Sequence, residues 1–527
     1  MNGAGGRAAQ ALTVRTRTTN AREECPLRTT LVLAAMFAGV AVVLPAQAGA
    51  QTTEVPRFEP AAPDEFPVSI PGSREGTVGY LVVWENRDTK STTIRLPVAI
   101  VRAASPSTAE PVLFLTGGPG SGDLSPAAYP GAYPWTADRD FIVLGQRGTQ
   151  HAQPALECPE LEEAFAATAG FMSRTERGRT LGAAARACRE RLQLSGADLS
   201  AYHTDAISED VDELASVLGV PRLVLFALSY GTRVALDVAR DFPDRVAAMV
   251  LDSPLPPDVQ YDDESAESFR NALEAVASAC STDPDCDRAY PDLRDRFFAS
   301  LDSAEVMPVE VRLTNPDRVV QLDGARLASL VSLASSSGVR SAPQRMAAIA
   351  TFDPDQIGPL IASGYSGSGF SWGMRASVWC SEAWPFSERA GASGPGPTLG
   401  GYESAAIAPP ICDAWDVPAR AEDFVQPVRS AIPTLVVAGE FDPATPPDWG
   451  RRALETLENG RLVVIRGGTH TPSVEWDSDG CAMSVVAEFV SDPAAWLSKD
   501  VLPACVSNAP GPEFVLPEQG DGRSPPN

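Results

Sequence analysis

The stretch LVLFALSYGTRVAL, residues 223–236, decides the fold. Leu223 to Leu228 form an unbroken apolar run, the pattern of a strand buried on both faces of a parallel sheet. A helical pattern follows Gly231. Between the two, Ala227-Leu228-Ser229-Tyr230-Gly231 nearly spells G-x-S-x-G, the sharp strand-to-helix turn that exposes a serine hydroxyl. Small residues are needed two before and two after the serine, because strand and helix approach too closely there for larger side chains. Ala227 stands at the first small position and adds a single methyl group.

Outward from this turn, strand-like runs occupy 79–85, 93–101, 111–115, 141–145 and 246–252. Helical patterns alternate with them. Residues 208–219 put Val211, Leu214, Ala215 and Leu218 on one face, with Ser208 expected as the N-cap. From 254 to 430 helical stretches dominate, as at 267–280 and 323–338, and Gly/Ser/Pro-rich loops interrupt them near 362–371 and 391–401. Strand patterns resume at 434–440 and 461–468. The expectation is an α/β protein with a mostly parallel central sheet: a body over 51–253 and 431–509, a helical cap inserted at 254–430, and a disordered tail at 510–527.

At 527 residues the chain suits one large domain with an insertion, or two domains. A net charge of -26 argues against non-specific nucleic-acid binding, which needs a basic face. Arg7, Arg15, Arg17, Arg22 and Arg28 lead into an apolar run at 31–44, and Ala46-Gln47-Ala48 and Ala48-Gly49-Ala50 both fit an A-x-A cleavage site. Residues 1–50 therefore read as a signal peptide. The run falls short of the ~20 residues of a membrane span. A periplasmic or secreted protein with no stable membrane insertion after signal removal is expected. Of nine cysteines, Cys25 lies in the leader. The others fall as neighbouring couples, Cys158 and Cys188, Cys280 and Cys286, Cys380 and Cys412, Cys481 and Cys505, and an exported chain suggests disulfides between them. Other connectivities stay open at this point. No C-x-x-C occurs and the histidines are isolated, so no metal site is expected, and no cofactor motif is present.

A seryl nucleophile needs a base, and the base needs an acid to orient it. In the strand-turn-helix arrangement the chain order is Ser, then acid, then His. Of the three histidines, His151 and His203 precede Ser229, and His470 alone follows it, in a Gly-rich loop after a strand run. VVAGEFDPATPP places Asp442 after the preceding strand run, where Pro443, Pro446 and Pro447 stiffen the loop. An oxyanion formed at Ser229 would meet the N–H of Tyr230 and a second donor from the loop Gly117-Gly118-Pro119-Gly120. A phosphate-binding loop fits less well, since no Lys-Ser/Thr follows.

GGPG after a strand, QRGT, the Ser-Tyr-Gly-Thr-Arg turn, PDRVAAMVLDSP, GEFDPATPP and GGTH together resemble the proline iminopeptidase and tripeptidyl aminopeptidase family of serine peptidases, over about 75–505. The CSTDPDC couple and the late Cys481 and Cys505 look like its secreted, tripeptidyl-aminopeptidase-like branch with a C-terminal extension. The resemblance implies an α/β-hydrolase fold with a helical cap. It implies cleavage of short peptides or amides from a free N-terminus through an acyl-enzyme. It carries Ser229, Asp442 and His470 over as a catalytic triad, with Tyr230 and Gly118 as oxyanion donors. It also implies cap carboxylates that hold the substrate's α-ammonium, with Asp258, Asp262, Asp263, Glu264 and Glu382 as candidates. The chain departs from the family at Gly145, Gln150 and Thr116, where relatives commonly carry Asp, Gly and His. A carboxylesterase on the same triad and a secreted, non-catalytic binding protein on a hydrolase scaffold are the competing expectations.

Overall fold

The computed structural model describes residues 54–168, 174–314, 317–362, 370–388, 409–475 and 479–517. The expected signal peptide, the loop at 391–401, most of that at 362–371, and residues 518–527 of the expected tail lie outside the described residues.

The described strands are β1 (Arg57–Pro60), β2 (Gly76–Trp84), β3 (Thr93–Val101), β4 (Val112–Leu115), β5 (Phe141–Leu144), β6 (Leu223–Leu228), β7 (Val246–Asp252), β8 (Val309–Thr314), β9 (Asp317–Leu322), β10 (Thr434–Gly439) and β11 (Gly460–Ile465). Nine form one sheet in the order β1-β2-β3-β5-β4-β6-β7-β10-β11. From β5 to β11 every neighbouring pair is parallel, whereas β1, β2 and β3 make an antiparallel edge. The unbroken apolar runs are explained by burial on both faces. Leu223, Leu225 and Ala227 of β6 enter one core, against helices Arg174–Leu194, Thr204–Leu218 and Tyr230–Asp241. Val224, Phe226 and Leu228 enter the other, with Tyr133, Trp135, Phe489 and Trp496. Alternate side chains of a strand point to opposite faces, so each face of β6 must be apolar.

The inserted region has its own core, running from Phe269 to Ile361 and built on helices Tyr261–Thr282, Leu293–Val306 and Ser336–Thr351. It is not purely helical. β8 and β9 form a separate antiparallel hairpin whose residues Val311, Leu313, Val320 and Leu322 face this core. The expected helix over 323–338 breaks into Gly324–Ser329 and the start of Ser336–Thr351. Helix Trp372–Glu382 lies within 254–430 too, yet its Met374, Val378 and Trp379 pack into the body core. Residues 510–517, expected in a disordered tail, are held on the insertion: Val515 N–H donates to the Arg340 carbonyl at 2.9 Å, and Tyr290 Oη–H donates to the Val515 carbonyl at 2.8 Å.

Helix Thr204–Leu218 starts earlier than expected. His203, not Ser208, caps it, its Nδ1 accepting from Ala206 N–H at 3.2 Å, and Ser208 is buried inside the helix. The four neighbouring cysteine couples are disulfides, at S–S distances of 1.87, 2.03, 2.07 and 2.12 Å for Cys158–Cys188, Cys280–Cys286, Cys380–Cys412 and Cys481–Cys505. Among the described residues no helix is long and apolar enough to cross a membrane.

Candidate active site

Parallel strands present their C-terminal ends at one edge of the sheet, where ligands of open α/β sheets bind. Ser229 follows β6 directly, Asp252 ends β7, Asp442 lies just past β10, and His470 lies in the loop after β11. β6, β7, β10 and β11 are consecutive neighbours, so residues far apart in sequence meet at this edge.

Ser229 has φ 53° and ψ -124°, a conformation that L-residues avoid, between the last residue of β6 and the first of helix Tyr230–Asp241. A Cβ on Gly231 would sit 2.3 Å from the Leu115 carbonyl oxygen, and one on Gly117 would sit 2.8 Å from Ser229 Cβ. The second small position therefore serves contact between the turn and the loop after β4, which brings that loop against Ser229. Gly231→Ala is expected to lower unfolding free energy by about 1–3 kcal/mol, since the obstacle is backbone rather than a movable side chain. Chemical denaturation measures this. Ala227, at the first small position, is wholly buried in β6.

The loop bearing the expected oxyanion donor Gly118 is braced from below. Gln146 Nε2 donates to the Thr116 carbonyl at 2.9 Å, and Arg375 Nη1 donates to the Gly118 carbonyl at 2.8 Å. Arg147 is buried against Asp210, with Nε–Oδ2 at 2.8 Å and Nη2–Oδ1 at 2.6 Å, and its Nη1 donates to the Glu85 and Ala201 carbonyls, both at 2.7 Å. The QRGT segment is thus a support for the loop. Gly145 has a local reason: a Cβ there would lie 2.6 Å from Pro97 Cγ. Sequence reasoning named Gly117 and the QRGT segment without these contacts, and it missed Arg375. The close approach of Gly117 was signalled only by the glycine itself, and the bracing contacts cross long stretches of chain.

His470 Nδ1 lies 2.9 and 3.1 Å from the two carboxylate oxygens of Asp442. Asp442 is buried and also accepts from Ala444 N–H at 2.8 Å, Thr445 N–H at 2.9 Å and Thr445 Oγ1–H at 2.9 Å. Burial alone would raise its pKa, but the histidine and these donors outweigh it and hold it below the ordinary carboxylate value. Burial likewise disfavours the His470 imidazolium, and the charge and hydrogen bond of Asp442, with the charge of Asp252, override it and raise the pKa. The side chain of His470 remains 25 % exposed. Gly439 lets the histidine loop cross β10: a Cβ there would meet the Thr469 carbonyl oxygen at 2.0 Å.

The expected ammonium ligands whose side chains are described are each engaged by protein partners. Glu382 is 1 % exposed and is taken up by Thr204, whose N–H and Oγ1–H both donate to it, the latter at 2.6 Å. Thr204 Oγ1 also lies 2.8 Å from Tyr230 Oη. Burial pushes the Glu382 pKa up to about 7. The aromatic and apolar neighbours in VWCSEAW were the signal for this burial. Asp258 pairs with Arg452 Nε at 2.6 Å, and Glu264 with Arg452 Nη1 at 3.1 Å. Asp263 accepts from Ser387 Oγ–H at 2.7 Å and Glu388 N–H at 2.9 Å. The side chain of Asp262 lies outside the described residues.

A family model of the α/β hydrolase fold matches residues 110–475. The chain belongs to the α/β-hydrolase fold family. The match runs from the strand before the GGPG loop through the insertion to the loop of His470. Curated relatives of this α/β-hydrolase include serine protease Hip1 of Mycobacterium tuberculosis and of Mycobacterium bovis, each 25 % identical over 312 residues. The alignment covers 54 % of this chain, which spans only 58 % of the length of those relatives. Similar solved structures include a proline iminopeptidase from Mycobacterium smegmatis, 15 % identical at a TM-score of 0.38 over 79 % of this chain and 99 % of that one. A thermophilic esterase from Thermogutta terrifontis is 16 % identical at a TM-score of 0.35, over 80 % and 99 %.

Proposed function

We propose that this α/β-hydrolase is an exported serine exopeptidase that removes short peptides from a free N-terminus through a Ser229–His470–Asp442 acyl-enzyme mechanism. The observation that carries the hydrolytic reading is the strained Ser229 turn on the same sheet edge as the His470–Asp442 pair. In this reading His470 Nε2 takes the Ser229 proton as Oγ attacks the acyl carbon, and Asp442 holds the other ring nitrogen. The N–H groups of Tyr230 and Gly118 receive the oxyanion. His470 then protonates the departing amine, and water repeats the sequence on the acyl-enzyme. The mechanism calls on no cofactor.

The peptidase half draws support from the GGPG, QRGT and GGTH motifs and from the Hip1 relatives. The four disulfides support an oxidising compartment, periplasmic or extracellular. A cavity of about 620 Å³ between the insertion and the Asp442 loop, lined by apolar residues such as Phe269, Leu333 and Pro443 and by polar ones such as Ser265, Ser332 and Arg345, offers room beside the proposed triad. One observation favours a carboxylesterase as the second reading: Asp258, Asp263, Glu264 and Glu382 are all engaged by protein partners, leaving none of them committed to a substrate ammonium.

A panel of N-terminally free and blocked short peptide amides, run beside short-chain p-nitrophenyl esters, separates the two. The peptidase reading expects kcat/KM for free amides to exceed that for blocked ones by about 100-fold or more, because a lost ammonium contact leaves buried polar groups unpaired. Equal rates on free and blocked amides, with fast ester hydrolysis, would make the enzyme an esterase. Labelling of Ser229 by a fluorophosphonate is expected in both; its absence would favour a non-catalytic binding protein.

A further inference from the structure

The dipeptide Asp252-Ser253 at the end of β7 touches the serine turn after β6, strand β10 and the loop after β11. The Asp252 carbonyl accepts from Ser229 N–H at 2.9 Å, fixing the seryl turn. Ser253 N–H donates to the Val437 carbonyl of β10 at 2.8 Å. Ser253 Oγ accepts from Thr471 N–H at 2.8 Å, the residue directly after His470. The Asp252 Oδ2 atom accepts from Ser473 N–H at 3.0 Å and from Ser473 Oγ–H. Both Ser253 and Thr471 hold positive φ, 57° and 56°, so the bond between them joins two strained residues.

We propose that Asp252 is a positioning residue: its main chain fixes the Ser229 turn while its carboxylate anchors the loop that carries His470. The proposal rests on the serine-hydrolase reading of the site. Two features set Asp252 apart from an ordinary buried structural acid. It is fully buried, yet its Oδ1 has no hydrogen-bond partner, which costs stability and calls for a reason. Its charge also acts on His470. The titratable groups facing His470 are Asp442 and Asp252, and those facing Asp252 are His470 and Asp442. Burial pushes the Asp252 pKa up to about 7, against the donors of Ser473 and the charge of His470. Where it is ionised, the carboxylate favours the imidazolium, so its removal lowers the pKa of His470 and carries the acid limb of kcat/KM to lower pH.

Asn at 252 keeps an acceptor for Ser473 and loses the charge, whereas Ala loses both. Full-length protein is assayed on a p-nitrophenyl ester or peptide amide that the wild type turns over. In Asp252→Asn, plateau kcat is expected within about threefold of wild type and the acid limb about half a pH unit or more lower, with Tm unchanged or raised. In Asp252→Ala, kcat falls tenfold or more at nearly unchanged KM, as expected when groups are misplaced by about an ångström. An unmoved acid limb in the Asn variant, together with kcat for the Ala variant within about twofold of wild type, overturns the proposal. If the Ala variant does not fold, the acid limb of the Asn variant decides alone. Fluorophosphonate labelling keeps the two readings apart. A labelled wild type with an inert Ser229→Ala leaves the triad standing whatever Asp252 does, and an active Ser229→Ala removes the triad itself.

Discussion

Ser229→Ala is expected to lose turnover by roughly 10⁶-fold while keeping the wild-type unfolding midpoint within a few degrees. The size follows from the chemistry. Without Oγ there is no acyl-enzyme, and the oxyanion donors and binding contacts alone leave a small residual rate over water. The fold should survive, because the features that hold the turn do not involve the hydroxyl. Ser229 N–H bonds to the Asp252 carbonyl, and Thr232 N–H and Oγ1–H bond to the Ser229 carbonyl, at 2.9, 2.9 and 2.5 Å. Steady-state kinetics beside circular dichroism check both halves. Activity retained above about one per cent of wild type would sink the assignment.

Asp442→Asn is expected to cost about 10⁴-fold in kcat. Asn can offer an N–H where His470 Nδ1 now faces a carboxylate, and so favours the tautomer that cannot take the Ser229 proton. The pH profile moves as well. Asp442 raises the His470 pKa, so wild-type kcat/KM rises through a limb above the ordinary histidine value, and the variant's limb lies lower. The same linkage has a stability side. His470, with its folded pKa raised, contributes stability that is present below its unfolded pKa and is lost as pH rises through the folded one. Asp442, with its folded pKa depressed, contributes stability above its unfolded pKa that is lost as pH falls through the folded one. The pair is therefore worth most between the two, in mildly acidic solution. Thermal melts of wild type and Asp442→Asn across pH 4–8 should diverge most there, with a variant deficit of about 1–3 kcal/mol.

The sheet and the positions of Ser229, Asp442 and His470 were readable because each depends on local pattern plus chain order. A strand buried on both faces must be apolar throughout, as in β6 and β10, and the turn after it must be small. The cysteine couples were readable for a similar reason, since short loops bring neighbours together. What escaped were contacts whose partners lie on different elements. Arg375 meets the Gly118 carbonyl across 257 residues, and Ser473 meets Asp252 across 221. No window on the sequence contains either pair. The hairpin of β8 and β9 is a different kind of miss, because the alternation in VEVRLT was legible and was absorbed into a helix-rich stretch. The helix start at Thr204 was missed because His203 caps it, a residue outside the usual capping set.

The insertion does more than sit above the sheet. Its core closes around Phe441, the residue immediately before Asp442, and its Leu333 carbonyl accepts from Thr469 Oγ1–H, immediately before His470. Asp442 and His470 are thus each one peptide bond from a grip belonging to the insertion. The insertion therefore works as a keystone for the Asp442–His470 pair.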